Sequence, residues 1–224
     1  MMETTELEVQ RKVRRWGPAT AHFVRNLLTS WSPVNQVASA RELKVTQPRV
    51  SQMVRLLAAH SIDVDQLDDP DQRRALVDLY LHHHRPAVVS ESLHYGLQPA
   101  PEQVKDVAIA ARRRKAHMAV SADLAPAYVA PWRQPTLTVV YVDSPLDLTA
   151  SKSFVPAMAR GEATLMVRHV SDESLLEPWT SKRKFPFAVA HPMQQVWDLH
   201  DLGGEDRQEA ADRIVDRVLN KRST

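Results

Sequence analysis

The side chains best equipped for chemistry cluster in one short run: Thr46, Gln47, Pro48, Arg49, Ser51, Gln52 and Arg55. Amides and hydroxyls can exchange hydrogen bonds with base edges, and guanidinium groups can neutralise phosphates, so the chemistry on offer is recognition of duplex DNA. Stepping about 100° per residue along a helix that starts at Gln47 puts Val50, Met53, Val54 and Leu57 on one apolar arc. Pro48, Ser51, Gln52 and Arg55 fall on the opposite arc, with Gln47 and Arg49 on its flanks. Thr46 stands where an N-cap belongs, and Pro48 lies in the first turn, where a missing N–H costs little. A polar outer face alone would also suit an ordinary surface helix. The segment before it adds weight: Val34, Val37, Ala38 and Leu43 mark a short helix, and Val45 can fill the angle between the two. The spacing predicts a helix-turn-helix over residues 39–57, with a generic αα-hairpin as the plainer alternative.

Other constellations are poorer. His82, His83 and His84 are consecutive, so on a helix they point about 100° apart and do not converge on one metal. Their place at a helix C-terminus suits the dipole. Asp143 and Asp147, in YVDSPLD, stand at the end of an apolar run where paired carboxylates can hold magnesium. The Ser-Pro turn between them offers a simpler role, bonding local backbone N–H groups. Cysteine is absent, which excludes disulfides, zinc ribbons and thiol nucleophiles, and the five glycines assemble no phosphate-binding or nucleophile-elbow motif. The expectation is a chain with no catalytic residue, no metal and no cofactor.

Two domains are needed to carry these residues. Residues 1–68 read as a winged helix-turn-helix domain with a leading helix. Phe23, Val24, Leu27, Leu28 and Trp31 give a buried stripe over residues 18–31, and the period-two alternation of residues 61–67 suggests a wing strand. That wing would carry Asp63, Asp65, Asp68 and Asp69, charges that phosphates repel. Residues 69–224 read as an α/β domain with a small mixed sheet flanked by helices, so the fold class is α+β. Its helices are expected over residues 69–84, with Ala75, Leu76, Leu79 and Tyr80 inward, then over 101–117, 191–202 and 205–221. Its strands are expected over 135–143, buried on both faces, and over 162–170 and 185–190. Gly203 is a candidate C-cap.

Charge is uneven although the net is only +2. Residues 1–60 hold nine Lys/Arg against four Asp/Glu, residues 61–100 three against seven, and residues 101–224 seventeen against sixteen. The basic excess therefore sits with the helix-turn-helix; Arg11, Lys12, Arg14 and Arg15 just before it either reach further phosphates or form the solvated face of a leading helix. The run Arg112–Lys115 wraps the end of its helix; dipole complementation explains it, with a second nucleic-acid contact as the alternative. No apolar run approaches the ~18 residues of a membrane span. The polar start lacks a signal-peptide core, so a cytoplasmic, nucleoid-associated protein is expected.

Four stretches carry a family resemblance: DDPDQRRALVDLYLHHHRP, SADLAPAYVAPWRQPTLTVVYVD, GEATLMVRHV and HPMQQVWDLHDLGGEDRQEAADRIVDRVL. Their order and wording resemble the AbiEi-type antitoxins of type IV toxin–antitoxin systems and related actinobacterial helix-turn-helix regulators, over roughly residues 20–220. The resemblance implies a repressor that binds inverted repeats upstream of its own operon and counteracts a nucleotidyltransferase-like toxin without a stable complex. On that pattern Gln47, Arg49, Ser51, Gln52 and Arg55 occupy the reading helix. The chain departs in its acidic wing and in Ala122, where relatives carry glycine. A nucleotidyltransferase core would need a Gly-Ser loop and an Asp-x-Asp pair, and Ala122 and Tyr141 stand in those places. Three readings follow: an autoregulating, antitoxin-like transcriptional repressor of operator DNA that self-associates on its site; a DNA-tethered nucleotidyltransferase-like enzyme; and a ligand-sensing regulator.

Overall fold

The computed structural model describes residues 15–125, 135–149, 151–179 and 186–220, which form a mixed α and β protein. The chain divides into two units, residues 1–85 and 86–224.

Among its described residues the first unit is built of helices joined by turns and loops. Helix α1 (Pro18–Thr29) opens with proline at its first position after Gly17, and buries Phe23, Val24, Leu27 and Leu28. It stops before Trp31, which leaves the expected stripe; the Trp31 ring instead lies 3.7 Å from the Arg73 guanidinium. Helix α2 (Gln36–Glu42) is capped by Asn35, whose side chain accepts N–H bonds from Val37 and Ala38. Its inward face is not the expected one: Val37 is 60% exposed and Ala38 exposed, while Ala40 and Leu43 are buried. Helix α3 (Gln47–Ala58) buries Val50, Met53 and Leu57, with Val54 half-buried.

The wing strand expected over residues 61–67 does not form. Val64–Gln66 is a turn of 3-10 helix, opened by Asp63 accepting the Asp65 N–H. Ile62, Val64 and Leu67 are buried, as the alternation suggested, but a capped turn buries them without a ladder. The acids act locally: Asp63 starts the turn, and Asp69 caps helix α4 (Pro70–His83) by accepting the Asp71 N–H. Helix α4 packs on α1 and lies in the helical unit, so the two units divide after Arg85 rather than near residue 68. Its buried face is Arg73, Leu76, Val77 and Tyr80; Ala75 is exposed and Leu79 half-buried.

The second unit is a five-stranded mixed sheet between helices. Strands β1 (Val88–Tyr95), β2 (Met118–Ala122), β3 (Thr138–Val142), β4 (Val155–Pro156) and β5 (Leu165–Val170) lie in the order β2-β3-β5-β1-β4. Only β3 and β5 run parallel. Every residue of β3 is buried, as an apolar run in the middle of a sheet requires. Helix α5 (Ala100–Arg114) lays Val104 and Val107 against Val120, Val140, Val142, Leu165 and Val167 on one face. The other face carries Ala119, Val139, Tyr141 and Met166. Helix α6 (Pro192–Leu202), capped by His191 Nδ1 on the Met193 N–H, packs against β2 and pairs with α7 (Glu205–Leu219). The expected third strand reduces to one bridge between Val189 and Val120; Phe185 and the Ala130–Gln134 part of the resemblance lie outside the described residues.

Candidate nucleic-acid interface

The α2–α3 pair is built from the turn outward. After Leu43 the chain reverses through Lys44, at a left-handed φ of 54°, with the Val45 N–H bonded to Ala40 O at 2.9 Å. Thr46 then adopts the extended N-cap conformation without a side-chain cap bond, and Pro48 occupies the second helical position. Burial of Val50, Met53 and Leu57 fixes the rotation of α3, and the residues between them face outward. Thr46, Gln47, Pro48, Arg49, Gln52 and Arg55 are exposed, and Ser51 is half-buried.

These side chains fall into two linked groups. Arg49 Nη1 donates to Gln52 Oε1 at 3.2 Å, and Arg55 Nε donates back to Ser51 O at 3.3 Å. On the other flank Gln47 Nε2 donates to Ser51 Oγ at 3.1 Å and to Gln36 Oε1 at 3.2 Å, while Ser51 Oγ donates to Gln36 Oε1 at 2.6 Å. Gln36 is the member that sequence reasoning missed. Its only signal was its place directly after the cap residue Asn35, at the N-terminus of the first helix of the motif. Arg41, Lys44, Arg49 and Arg55 are exposed and form no ion pair among the described residues. The nearby Glu42 accepts an N–H from Asn26 at 3.1 Å. A surface of cations without ion-pair partners around three amides and a hydroxyl can meet a polyanion and hydrogen-bond to it.

The remaining candidates have local roles. Asp143 clamps His117, accepting its backbone N–H at 3.0 Å and its Nδ1 at 2.7 Å. Asp147 accepts the Thr149 N–H at 2.9 Å and hydroxyl at 2.6 Å, and those bonds hold its carboxyl below the usual carboxylate range. Of the histidines, His83 stacks on Trp16 and His84 on Tyr80. Among the described residues no three His, Cys, Asp or Glu side chains gather as a metal site would need. Arg112–Arg114 end α5, and Lys115 closes it in the left-handed region; Arg15 is exposed, and Arg11, Lys12 and Arg14 lie outside the described residues.

A second polar assembly, invisible in the sequence, lies inside the sheet unit. Asp198 of α6 accepts from Arg168 Nη1 at 2.7 Å, from the Tyr141 hydroxyl at 2.6 Å and from Ser121 Oγ at 2.5 Å. Gln194 donates to the same tyrosine oxygen at 2.8 Å. All five side chains are almost wholly buried, so substrate cannot reach them and the network locks α6 to the sheet. Burial and the Asp198 carboxylate push the Tyr141 hydroxyl well above its ordinary pKa, so Tyr141 stays a donor.

With this geometry in hand, comparison with protein-family models, with curated proteins and with solved structures found no match.

Proposed function

We propose that the protein is a sequence-specific DNA-binding transcriptional repressor of the autoregulating, antitoxin-like kind. Residues 1–85 read operator DNA, and residues 86–224 serve a regulatory or effector role. The observation that carries the reading is the outer face of α3, where exposed Gln47, Gln52, Arg49 and Arg55 surround Ser51 and the cations lack acidic partners among the described residues. Arg49, Arg55, Arg41 and Lys44 supply phosphate contacts and hence affinity; Gln47, Ser51 and Gln52 supply base readout, at about 1–3 kcal/mol of discrimination per good bidentate contact. An inverted repeat read by two protomers that associate on the DNA fits the usual use of this motif. A toxin, where one exists, is opposed without a stable complex, as the family resemblance implies. A cytoplasmic place beside the nucleoid follows from the DNA role. No described helix is long and apolar enough to cross a membrane.

The test is selection of binding sites from random duplex DNA, followed by anisotropy titration of the winner at two salt concentrations. An inverted-repeat consensus bound far above random DNA is expected. Gln52→Ala should erase preference at one position, and Arg55→Ala should flatten the salt slope. Binding without enrichment that vanishes with salt would refute the reading. The enzymatic alternative needs Asp143 and Asp147 to bind a divalent metal, although both carboxylates are committed to His117 and Thr149. A thermal shift on adding magnesium or manganese would revive it.

A further inference from the structure

The flank of α3 turned away from α2 joins a base-reading candidate to a phosphate-binding one. Gln52 falls on the outward arc with Pro48 and Arg55, and Arg49 on the flank opposite Gln47, which is the side bonded to Gln36 of α2. Arg49 Nη1 donates to Gln52 Oε1 at 3.2 Å. A guanidinium has donors only, so the Gln52 atom that faces it is the carbonyl oxygen, and the amide nitrogen is turned the other way. Among the described residues no protein acceptor takes Gln52 Nε2, nor the Nε and Nη2 groups of Arg49. The Nε–Nη2 edge of a guanidinium is a parallel pair of donors that fits two oxygens of one phosphate, and a bond made through Nη1 leaves that edge open.

We infer that Arg49 bridges phosphate contact and base readout: its Nε–Nη2 edge clamps a phosphate at the groove wall while Nη1 holds the Gln52 carbonyl and so fixes which end of that amide meets a base. Arg49 is then the positioning residue for Gln52. The inference rests on α3 lying in the major groove, as proposed above. The Gln52 oxygen keeps a second lone pair, so the amide still accepts as well as donates. What Arg49 removes is the reversed amide, which would set N–H groups against N–H groups. An amide free to reverse can accept from a base amino group, adenine N6 or cytosine N4, or donate to a base carbonyl, guanine O6 or thymine O4, at the same place. Held one way, it favours one of these two classes.

The experiment uses the full chain and the selected duplex. The base whose preference disappears in Gln52→Ala is the one that Gln52 reads. There, wild type should favour either the amino-bearing or the carbonyl-bearing class by roughly tenfold. Arg49→Met should bring the two classes within about threefold at that base and leave preferences at every other position unchanged. It should also flatten the slope of log affinity against log salt by about 0.9. Both side chains are exposed, so neither substitution empties a core. In the Gln52→Ala background, adding Arg49→Met should flatten the slope as before and alter no base preference. An Arg49→Met variant that weakens all duplexes alike, with base preferences intact, would make Arg49 a phosphate contact alone and overturn the inference. Loss of the preference with a wild-type salt slope would overturn it too, by taking the phosphate out of the bridge. So would loss of preference at every position, or a wild type that favours neither class at that base. A consensus that survives Gln52→Ala unchanged sinks this inference and leaves the DNA-reading proposal standing. Absence of any consensus removes both.

Discussion

Each unit buries an arginine almost completely, Arg73 at 1% exposure and Arg168 at 2%, and surrounds it with different company. Arg73 is held by backbone. Its Nε donates to Leu67 O at 2.8 Å, its Nη1 to Leu28 O at 2.7 Å and its Nη2 to Ser30 O at 3.2 Å. The Leu28 and Ser30 carbonyls are among those that the end of α1 leaves without helical partners, so Arg73 works as a cap supplied by another helix. Arg168 is held by carboxylates: Glu91 at 2.9 Å, Asp198 at 2.7 Å and Asp201 at 2.8 Å. Burial works against both charges. For Arg73 it wins, against a weaker pull from Asp68, and lowers the pKa. For Arg168 the surrounding Tyr141, Asp198, Asp201 and Glu91 more than reverse it and push the pKa up. One guanidinium is thus a donor array for a helix end, and the other is the centre of a charge balance. The consequences of removing them differ accordingly.

Arg168→Met should have the largest effect. It strands Asp198, which is wholly buried, and should cost the sheet unit about 3–5 kcal/mol, read as lost hydrogen-exchange protection in β3 and β5. Adding Asp198→Asn should restore part of the loss, because the unpaired anion is then gone. Arg73→Met leaves carbonyls rather than charges and should cost about 1–3 kcal/mol, read at the C-terminal turn of α1. Adding Asp68→Asn should restore nothing. Rescue of the second variant, or none in the first, would erase the distinction between the two arginines.

The charge-based bonding of the sheet unit also gives it an acid-sensitive element. Burial pushes the Asp123 carboxyl up, but Arg207 at 2.7 Å and the N–H and hydroxyl donors of Thr136 and Leu137 outweigh that and hold it below the usual carboxylate range. A carboxyl lowered in the fold stabilises it above the unfolded pKa of about 3.9, and that stability is lost as pH falls through the folded value. Asp123→Asn should cost about 1–2 kcal/mol at pH 7 and flatten the decline of sheet-unit stability below about pH 4. The carbonyl acceptors of Arg73 do not titrate, so its contribution should hold across the same range. An Asp123→Asn variant with the wild-type acid profile would remove this carboxyl from the account.

The two units also differed in how much of them could be read from sequence. The helices were legible because each announces itself: Pro18, Pro48, Pro70 and Pro192 stand in first turns, and apolar residues recur at helical spacing. Strand β3 was legible because burial on both faces writes a continuous apolar run. The misses have physical causes. Residues 61–67 alternate like a strand, but a 3-10 turn with aspartate caps buries the same residues. Strand β1 was missed because most of its side chains are exposed, so no alternation marks it. Strand β2 is five residues long and mostly small. Nothing in the sequence marks Arg73 and Arg168 as buried, because a sequence does not show which acceptors another element brings. The face of α3 was read directly, since it follows from a single helix. Gln36, which reaches that face from α2, depends on a tertiary angle that periodicity does not contain.

The smallest expected effect compares two lysines in the same backbone state. Lys44, in the turn between α2 and α3, has φ 54°, and Lys115, at the end of α5, has φ 56°. Both are exposed, so glycine removes the left-handed strain without emptying a core, and each substitution should stabilise its own unit by about 0.5–1 kcal/mol. Their effects on DNA should differ. Lys44 stands beside the α3 face, and losing its charge should flatten the slope of log affinity against log salt by about 0.9, the release of one counterion. Lys115 lies on the sheet unit, where the dipole of α5 accounts for its charge, and Lys115→Gly should leave that slope unchanged. A Lys44→Gly slope equal to that of wild type would place Lys44 outside the interface. A flatter slope for Lys115→Gly would make the end of α5 a second site of phosphate contact, and the operator would then have to be long enough to engage both units.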